Sequence, residues 1–175
     1  MESIRAVHLA RSGAVKARTA CVNELGACRP RCSPPRAHDF VQQQALTSEI
    51  EDLDVHLKAL VRQARPDLLG VHGVGPETAA QLLITCGDNP DRLTFPAAFA
   101  ALCGAAPIPA SSGKTVRYRL SRGGDRQVNR ALYLIALARM VWCPRTRAYA
   151  TRRTTEGKSK KEIIRCTNND LPAPT

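Results

Sequence analysis

Aromatic residues make up only 4% of this sequence. Large antiparallel sheets draw on aromatic and β-branched side chains, so their scarcity beside abundant alanine and leucine excludes a big sandwich or barrel and points to a helical core. No apolar run is long enough to span a bilayer, which turns any excess positive charge toward nucleic acid before membrane. The cysteines at 21, 28, 32, 86, 103, 143 and 166 show no paired spacing and follow no secretory leader, so reduced thiols in a cytoplasmic protein are expected. Cys21, Cys28, Cys32 and His38 can be imagined around zinc, but their spacing is not that of a familiar zinc site. Histidine is also missing after position 72, which limits the general bases available to the second half of the chain.

What is present is a chain of 175 residues, 43% hydrophobic, enough for one medium domain or a small domain with a helical arm. Its net charge is +11, and the charge is segregated. Residues 111–165 hold 15 basic and 3 acidic residues, a local balance of +12 against −1 for the remainder. A basic block of this kind is the electrostatic footprint of a nucleic-acid partner, because neutralised phosphates release condensed counterions.

Residues 1–66 read as a helical arm with a proline-rich break near 29–36. The stretch SIRAVHLARSGAVKARTACVNELG places Ile4, Val7, Val15, Val22 and Leu25 on roughly one face, with Leu9 off it and Gly13 interrupting. Beyond the break, Leu46, Ile50, Leu53, Leu57, Leu60 and Ala64 form a coiled-coil-like seam that Pro66 ends. That seam suits either a second chain, giving a homo-oligomer, or the first helix of the same chain. Arg11 and Arg18 make a continuous internal seam less comfortable.

Residues 67–166 read as a compact helical domain and residues 167–175 as a frayed tail. LLGVHGVGPETAAQLL resembles a helix-hairpin-helix element, in which Gly73 and Gly75 make the turn and present backbone amides to a phosphate, while Pro76 and Glu77 open the second helix. A short helix, FPAAFAALCG, follows. PIPASSGK reads as irregular loop because of Pro107, Pro109 and Gly113. Val116, Tyr118 and Leu120 then alternate with Arg117, Arg119 and Ser121, as in a short extended segment with one basic face. Asp125 is placed to cap a helix running to about Trp142, with Val128, Leu132, Ile135 and Ala136 as its buried stripe. Two further basic helical pieces complete the domain, so the fold expected is mainly α.

The loop raises a chemical possibility. A serine hydroxyl can attack a phosphodiester only if it loses its proton, lies in line with the leaving oxygen and has cations to stabilise the transition state. Ser111 and Ser112 supply hydroxyls, Gly113 allows close backbone approach, and Lys114, Arg117, Arg119, Arg122 and Arg126 are candidate clamps. The stretch has no evident base or metal site, and its one nearby acid is Asp125.

The run from LLGVHGVGPETAAQLL through the serine loop to PRTRAYATRRTTEGKSKKEIIRC, residues 68–166, resembles the carboxyl-terminal domain of insertion-sequence transposases related to the pilin-gene invertase, the bridge-RNA-guided recombinases. The resemblance implies that Ser112, with Ser111 as the alternative, corresponds to a nucleophile that becomes joined to DNA. It also implies nucleic-acid contacts for Arg117, Arg119, Arg122, Arg126 and Arg130, with DNA and a guide RNA as partners. In that family a RuvC-like domain holds magnesium through four acidic residues beside the serine of a partner subunit. By this resemblance the chain is expected to start after such a domain, and its acids at 49, 51, 52 and 54 crowd one helix surface as solvated charge. The expectation is therefore a truncated transposase fragment, inactive alone and binding no cofactor itself, with the 39–65 seam pairing it to a second copy or to a full-length transposase. The alternative expectation is a non-catalytic nucleic-acid-binding or oligomerisation module.

Overall fold

The computed structural model describes residues 1–27, 37–87, 93, 95–110, 118–121 and 123–169. It divides into two compact units, Met1–Arg65 and Pro66–Thr175.

The first unit is a pair of helices, α1 (Glu2–Ala27) and α2 (Ala37–Ala64), packed against each other. They run antiparallel: the Cys21 thiol donates to the Asp39 carbonyl at 3.5 Å, while Arg11 reaches Asp54 much further along α2. Of the two uses open to the α2 seam, the internal one is observed. Ile50, Leu57 and Val61 are buried, as are Ile4, Ala14 and Cys21 of α1. On α1 the inward positions are Ile4, Val7, Arg11, Ala14, Arg18, Cys21 and Leu25, a heptad alternation of three and four. Val22, expected on this face, is exposed, and α1 runs through Gly13 without interruption. A helix tolerates an isolated glycine at a cost of about 1 kcal/mol.

The arginines in the seam are accommodated rather than excluded. The Arg11 side chain is only 15% exposed, and its guanidinium grips the Asp54 carboxylate through Nε to Oδ1 and through Nη2 to Oδ2 at 3.4 Å. A charge drawn toward an apolar seam needs such a partner.

The second unit is built around α6 (Arg126–Trp142), which packs on α4 (Pro76–Gly87), α7 (Pro144–Thr155) and α8 (Lys160–Asn169). Val128, Ala131, Leu132, Ile135 and Ala136 are its buried stripe, at the i, i+3, i+4, i+7 and i+8 positions of one face. They meet Leu82 of α4 and Phe99 of α5 (Pro96–Leu102), with Cys103 and Ala105 just beyond α5. The short α3 (Pro66–Gly70) precedes the glycine turn and buries Leu68.

Two expectations are corrected here. Pro107–Pro109 is not irregular: it forms strand β1, paired antiparallel with β2 (Tyr118–Leu120) in the register Pro107↔Leu120, Ile108↔Arg119, Pro109↔Tyr118. Alternate prolines are compatible with this ribbon because Ile108 supplies the central N–H, and prolines are tolerated where no ladder bond is asked of them. The tail does not fray at 167, since α8 continues to Asn169 and Thr167 is buried with its hydroxyl bonded to the Ile163 carbonyl at 2.9 Å.

Candidate nucleic-acid interface

The β1–β2 ribbon is fixed at its base by close backbone packing. Gly104, at φ +64°, and Gly124 approach so nearly that a Cβ on Gly124 would overlap the Gly104 backbone and lie 2.8 Å from the Cys103 carbonyl carbon. No other residue type fits there. Beside that crossing, the Asp125 N–H donates to the Leu102 carbonyl at 2.8 Å, and the Asn129 side-chain amide donates to the Cys103 carbonyl at 2.9 Å.

Asp125 is fully engaged. One carboxylate oxygen accepts from the Gln127 and Val128 amides at 2.8 and 3.4 Å, capping α6, and the other accepts from the Thr85 hydroxyl at 2.9 Å. The nearby acid that sequence alone suggested is therefore a structural cap tying α4 to α6, where a carboxylate also complements the helix dipole.

Among the candidate contact residues, Arg119 is exposed on β2, and Arg126 and Arg130 are exposed one turn apart on the first two turns of α6. This gathers three cations around the ribbon and the helix start that follows it. Ser111, Ser112, Lys114, Arg117 and Arg122 lie outside the described residues, in or beside the connection that begins and ends at the paired Pro109 and Tyr118.

The glycine turn sits elsewhere. Gly73 adopts φ +87°, and a Cβ there would meet the Ile135 carbonyl and the Arg139 side chain at 3.1 Å, so the turn rests on the later part of α6. The Gly75 N–H donates to Thr78 Oγ1 at 2.9 Å, and that hydroxyl returns a bond to the Gly75 carbonyl at 3.0 Å.

Close to this turn lies a cleft of about 900 Å³ that sequence reasoning missed. His72, Arg139 near the end of α6, and Arg145, Tyr149 and Arg152 of α7 line it. The spacing 145, 149, 152 is i, i+4, i+7 on one helix and could have been read from sequence. The approach of His72 and Arg139 to that face is tertiary and could not. Among the described residues, no group of three or more His, Cys, Asp or Glu side chains could hold a metal ion. Cys28 and Cys32 of the imagined zinc site lie outside the described residues.

Exposed cations thus collect at the start of the central helix and around the cleft, a charge pattern that suits a polyanion. Comparison with known proteins shows that residues 66–151 match the Transposase IS116/IS110/IS902 family. The chain is 37% identical over 126 residues to the insertion element IS110 uncharacterized 43.6 kDa protein of Streptomyces coelicolor, covering 70% of this chain and 29% of that protein. It is 31% identical over 123 residues to the insertion element IS900 uncharacterized 42 kDa protein of Mycobacterium paratuberculosis, covering 69% and 31% respectively. The matched region thus spans about a third of the length of these relatives. Among the described residues, no helix is long and apolar enough to cross a membrane.

Proposed function

We propose that this chain acts on DNA as the serine-bearing portion of an insertion-element transposase. The observation that carries the reading is the concentration of basic charge in residues 111–165, which overlap the matched transposase domain and include both serines. Ser112 is the proposed nucleophile, with Ser111 as the alternative. Its Oγ forms a bond to phosphorus, the bond from phosphorus to the leaving deoxyribose oxygen breaks, and the hydroxyl proton ends on that leaving oxygen.

Lys114, Arg117, Arg119, Arg122, Arg126 and Arg130 are assigned to the phosphates on either side of the scissile bond, where guanidinium groups can clamp non-bridging oxygens. Gly73 and Gly75 join the reading as a second point of backbone approach. For Gly75 to serve a phosphate, its amide must first leave Thr78. Magnesium is assigned no step in this chain, because the described residues offer no ligand set for it, and Asp125 is assigned no proton transfer because its oxygens are already engaged. The base and the metal chemistry are assigned to groups outside the described residues, so these 175 residues alone are expected to bind without cleaving.

A second copy and a guide RNA are further proposed partners. Phe40, Val41 and Val55 are exposed on α2 and give another copy apolar surface to bury; sedimentation over a range of concentrations should show self-association, and a monomer throughout would remove that partner.

Binding is tested by filter retention of a mixed-sequence DNA duplex in rising salt. Affinity should fall on the order of 10³-fold between 50 and 200 mM salt if about six phosphates are contacted; retention that ignores salt would overturn the reading. Cleavage is tested by adding a full-length relative and insertion-element end DNA. A covalent adduct on this chain should form with the wild type and vanish in Ser112→Ala. An adduct that persists in that variant and is lost in Ser111→Ala would move the nucleophile by one residue.

A further inference from the structure

We infer that the cleft beside the Gly73 turn is a second phosphodiester-binding site for a nucleic-acid strand, distinct from the serine loop and using none of its residues. Its donors are Arg139, Arg145 and Arg152, with His72 also in the lining, and no carboxylate is among the described residues that line it. A concavity whose described lining holds three guanidinium groups and no acid repels cations and concentrates anions.

Two details favour an anion of the phosphate class. The Nε of Arg139 is buried and has no hydrogen-bond partner, a state that an arriving acceptor would relieve. Arg152 is only loosely engaged by the neighbouring acid: Glu156 lies 2.5 Å from Arg153 and 4.0 Å from Arg152. Arg152 also stacks on Tyr149, its guanidinium carbon 5.5 Å from the ring centre. This orients the planar fork, and a preoriented fork suits the oxygens of a phosphate.

The lining hydroxyls are already committed, that of Thr146 to the Cys143 thiol, that of Tyr149 to Arg153 and Cys166, and that of Thr167 to the Ile163 carbonyl, so recognition falls to the charged groups. A concavity of about 900 Å³ exceeds what one inorganic phosphate requires, which favours a length of strand. Arg126 and Arg139 mark the two ends of the separation along α6, about 20 Å at 1.5 Å rise per residue. A stacked strand at 3.4 Å per nucleotide crosses that distance in about six steps. One strand could therefore occupy the cleft while its continuation reaches the ribbon.

The test uses the full chain, a 12-nucleotide single-stranded DNA and, separately, inorganic phosphate. Phenylglyoxal modification mapped by mass spectrometry should show Arg145 and Arg152 protected by the oligonucleotide and not by inorganic phosphate at equal phosphate concentration. In fluorescence anisotropy, the Arg145→Ala/Arg152→Ala variant should have a log–log salt slope shallower by about 1.4, from 0.7 per lost single-strand contact. Arg147 is exposed on α7 but does not line the cleft, so Arg147→Ala should leave protection of Arg145 and Arg152 intact. Because both cleft arginines replaced are exposed, the double variant should keep wild-type helicity by circular dichroism. Binding with Arg145 and Arg152 unprotected and the slope unaltered would overturn the cleft assignment while leaving the serine loop in place. Protection by inorganic phosphate alone would overturn the strand assignment.

Discussion

The two units handle arginine in opposite ways. In Met1–Arg65, ten basic and seven acidic residues nearly balance, and the arginine that enters the apolar seam is met by Asp54 of the same unit. In Pro66–Thr175, sixteen basic residues face eight acids, and no carboxylate is among the described residues that line the cleft with its arginines. The first arrangement answers the inward charge of Arg11 within the hairpin itself. The second stores uncompensated positive potential, which costs stability through self-repulsion and suits a partner that brings negative charge. A helical scaffold of similar chemistry is thus used once to close on itself and once to stay open to a polyanion.

The sharpest way to break the second arrangement is to move the ribbon that carries the serine connection. Gly124→Ala puts a methyl group into the Gly104 backbone, which cannot yield as a flexible side chain would. A loss of about 3 kcal/mol is expected, at the upper end of overpacking costs, read as a lower urea midpoint for the second unit. DNA affinity at fixed salt should fall with it. Gly13→Ala in the first unit is the contrast: nothing lies within 4 Å of the added methyl, and the helix should gain about 1 kcal/mol. Equal effects at the two glycines would remove the claim that the crossing holds the ribbon.

A smaller effect separates the units at their charges. Asp54→Ala removes the carboxylate that Arg11 grips in the seam, and because the Asp54 side chain is 41% exposed the cost should be about 1–2 kcal/mol, below that of a fully buried pair. Arg11→Met together with Asp54→Ala should restore most of it, since an apolar side chain of similar length packs where the guanidinium lay. Thermal melts of the two variants check this, and a double variant no more stable than Asp54→Ala alone would show that the pair is not an internal compensation.

Much of this comparison was legible in the sequence. The α6 stripe, its Asp125 cap and the extended Tyr118–Leu120 segment follow from local periodicity and local hydrogen bonding, and each appears where those rules put it, whereas the α2 seam holds at Ile50 and Leu57 but buries Val61 and leaves Ala64 exposed. The face of α1 was harder, because Arg11 belongs to it only by virtue of Asp54, 43 residues away. The β1 strand was hidden by its prolines, whose tolerance depends on a partner strand that local reading does not supply. Likewise, periodicity on α7 gives Arg145, Tyr149 and Arg152 a common face, yet only the packing of the Gly73 turn on α6 brings His72 and Arg139 to it. Features set by one helix were readable, and those set by the meeting of two were not.

The finest contrast lies within the second unit, between its apolar core and its cleft-side surface, and cysteines report it. Burial pushes the Cys103 thiol from the ordinary 9.0 up to about 12, with Cys86 and Asp125 adding to the rise, and burial pushes Cys86 to about 11. Both folded values exceed the unfolded one, so the stability these neutral thiols confer is whole below about pH 9 and is lost as pH climbs toward 11 and 12. Cys143 is shifted the other way. A hydrogen bond from the Thr146 side chain, backbone donors from Thr146 and Arg145, and the charge of Arg139 all favour its thiolate. Iodoacetamide at neutral pH should therefore label Cys143 well before Cys86 or Cys103, with peptide mass spectrometry as the readout. Thr146→Val should slow that labelling by removing the leading donor while leaving the other two cysteines unchanged. Labelling of Cys103 at the rate of Cys143 would mean that the interior around α6 opens readily, and the division between a closed core and a receptive surface would fail.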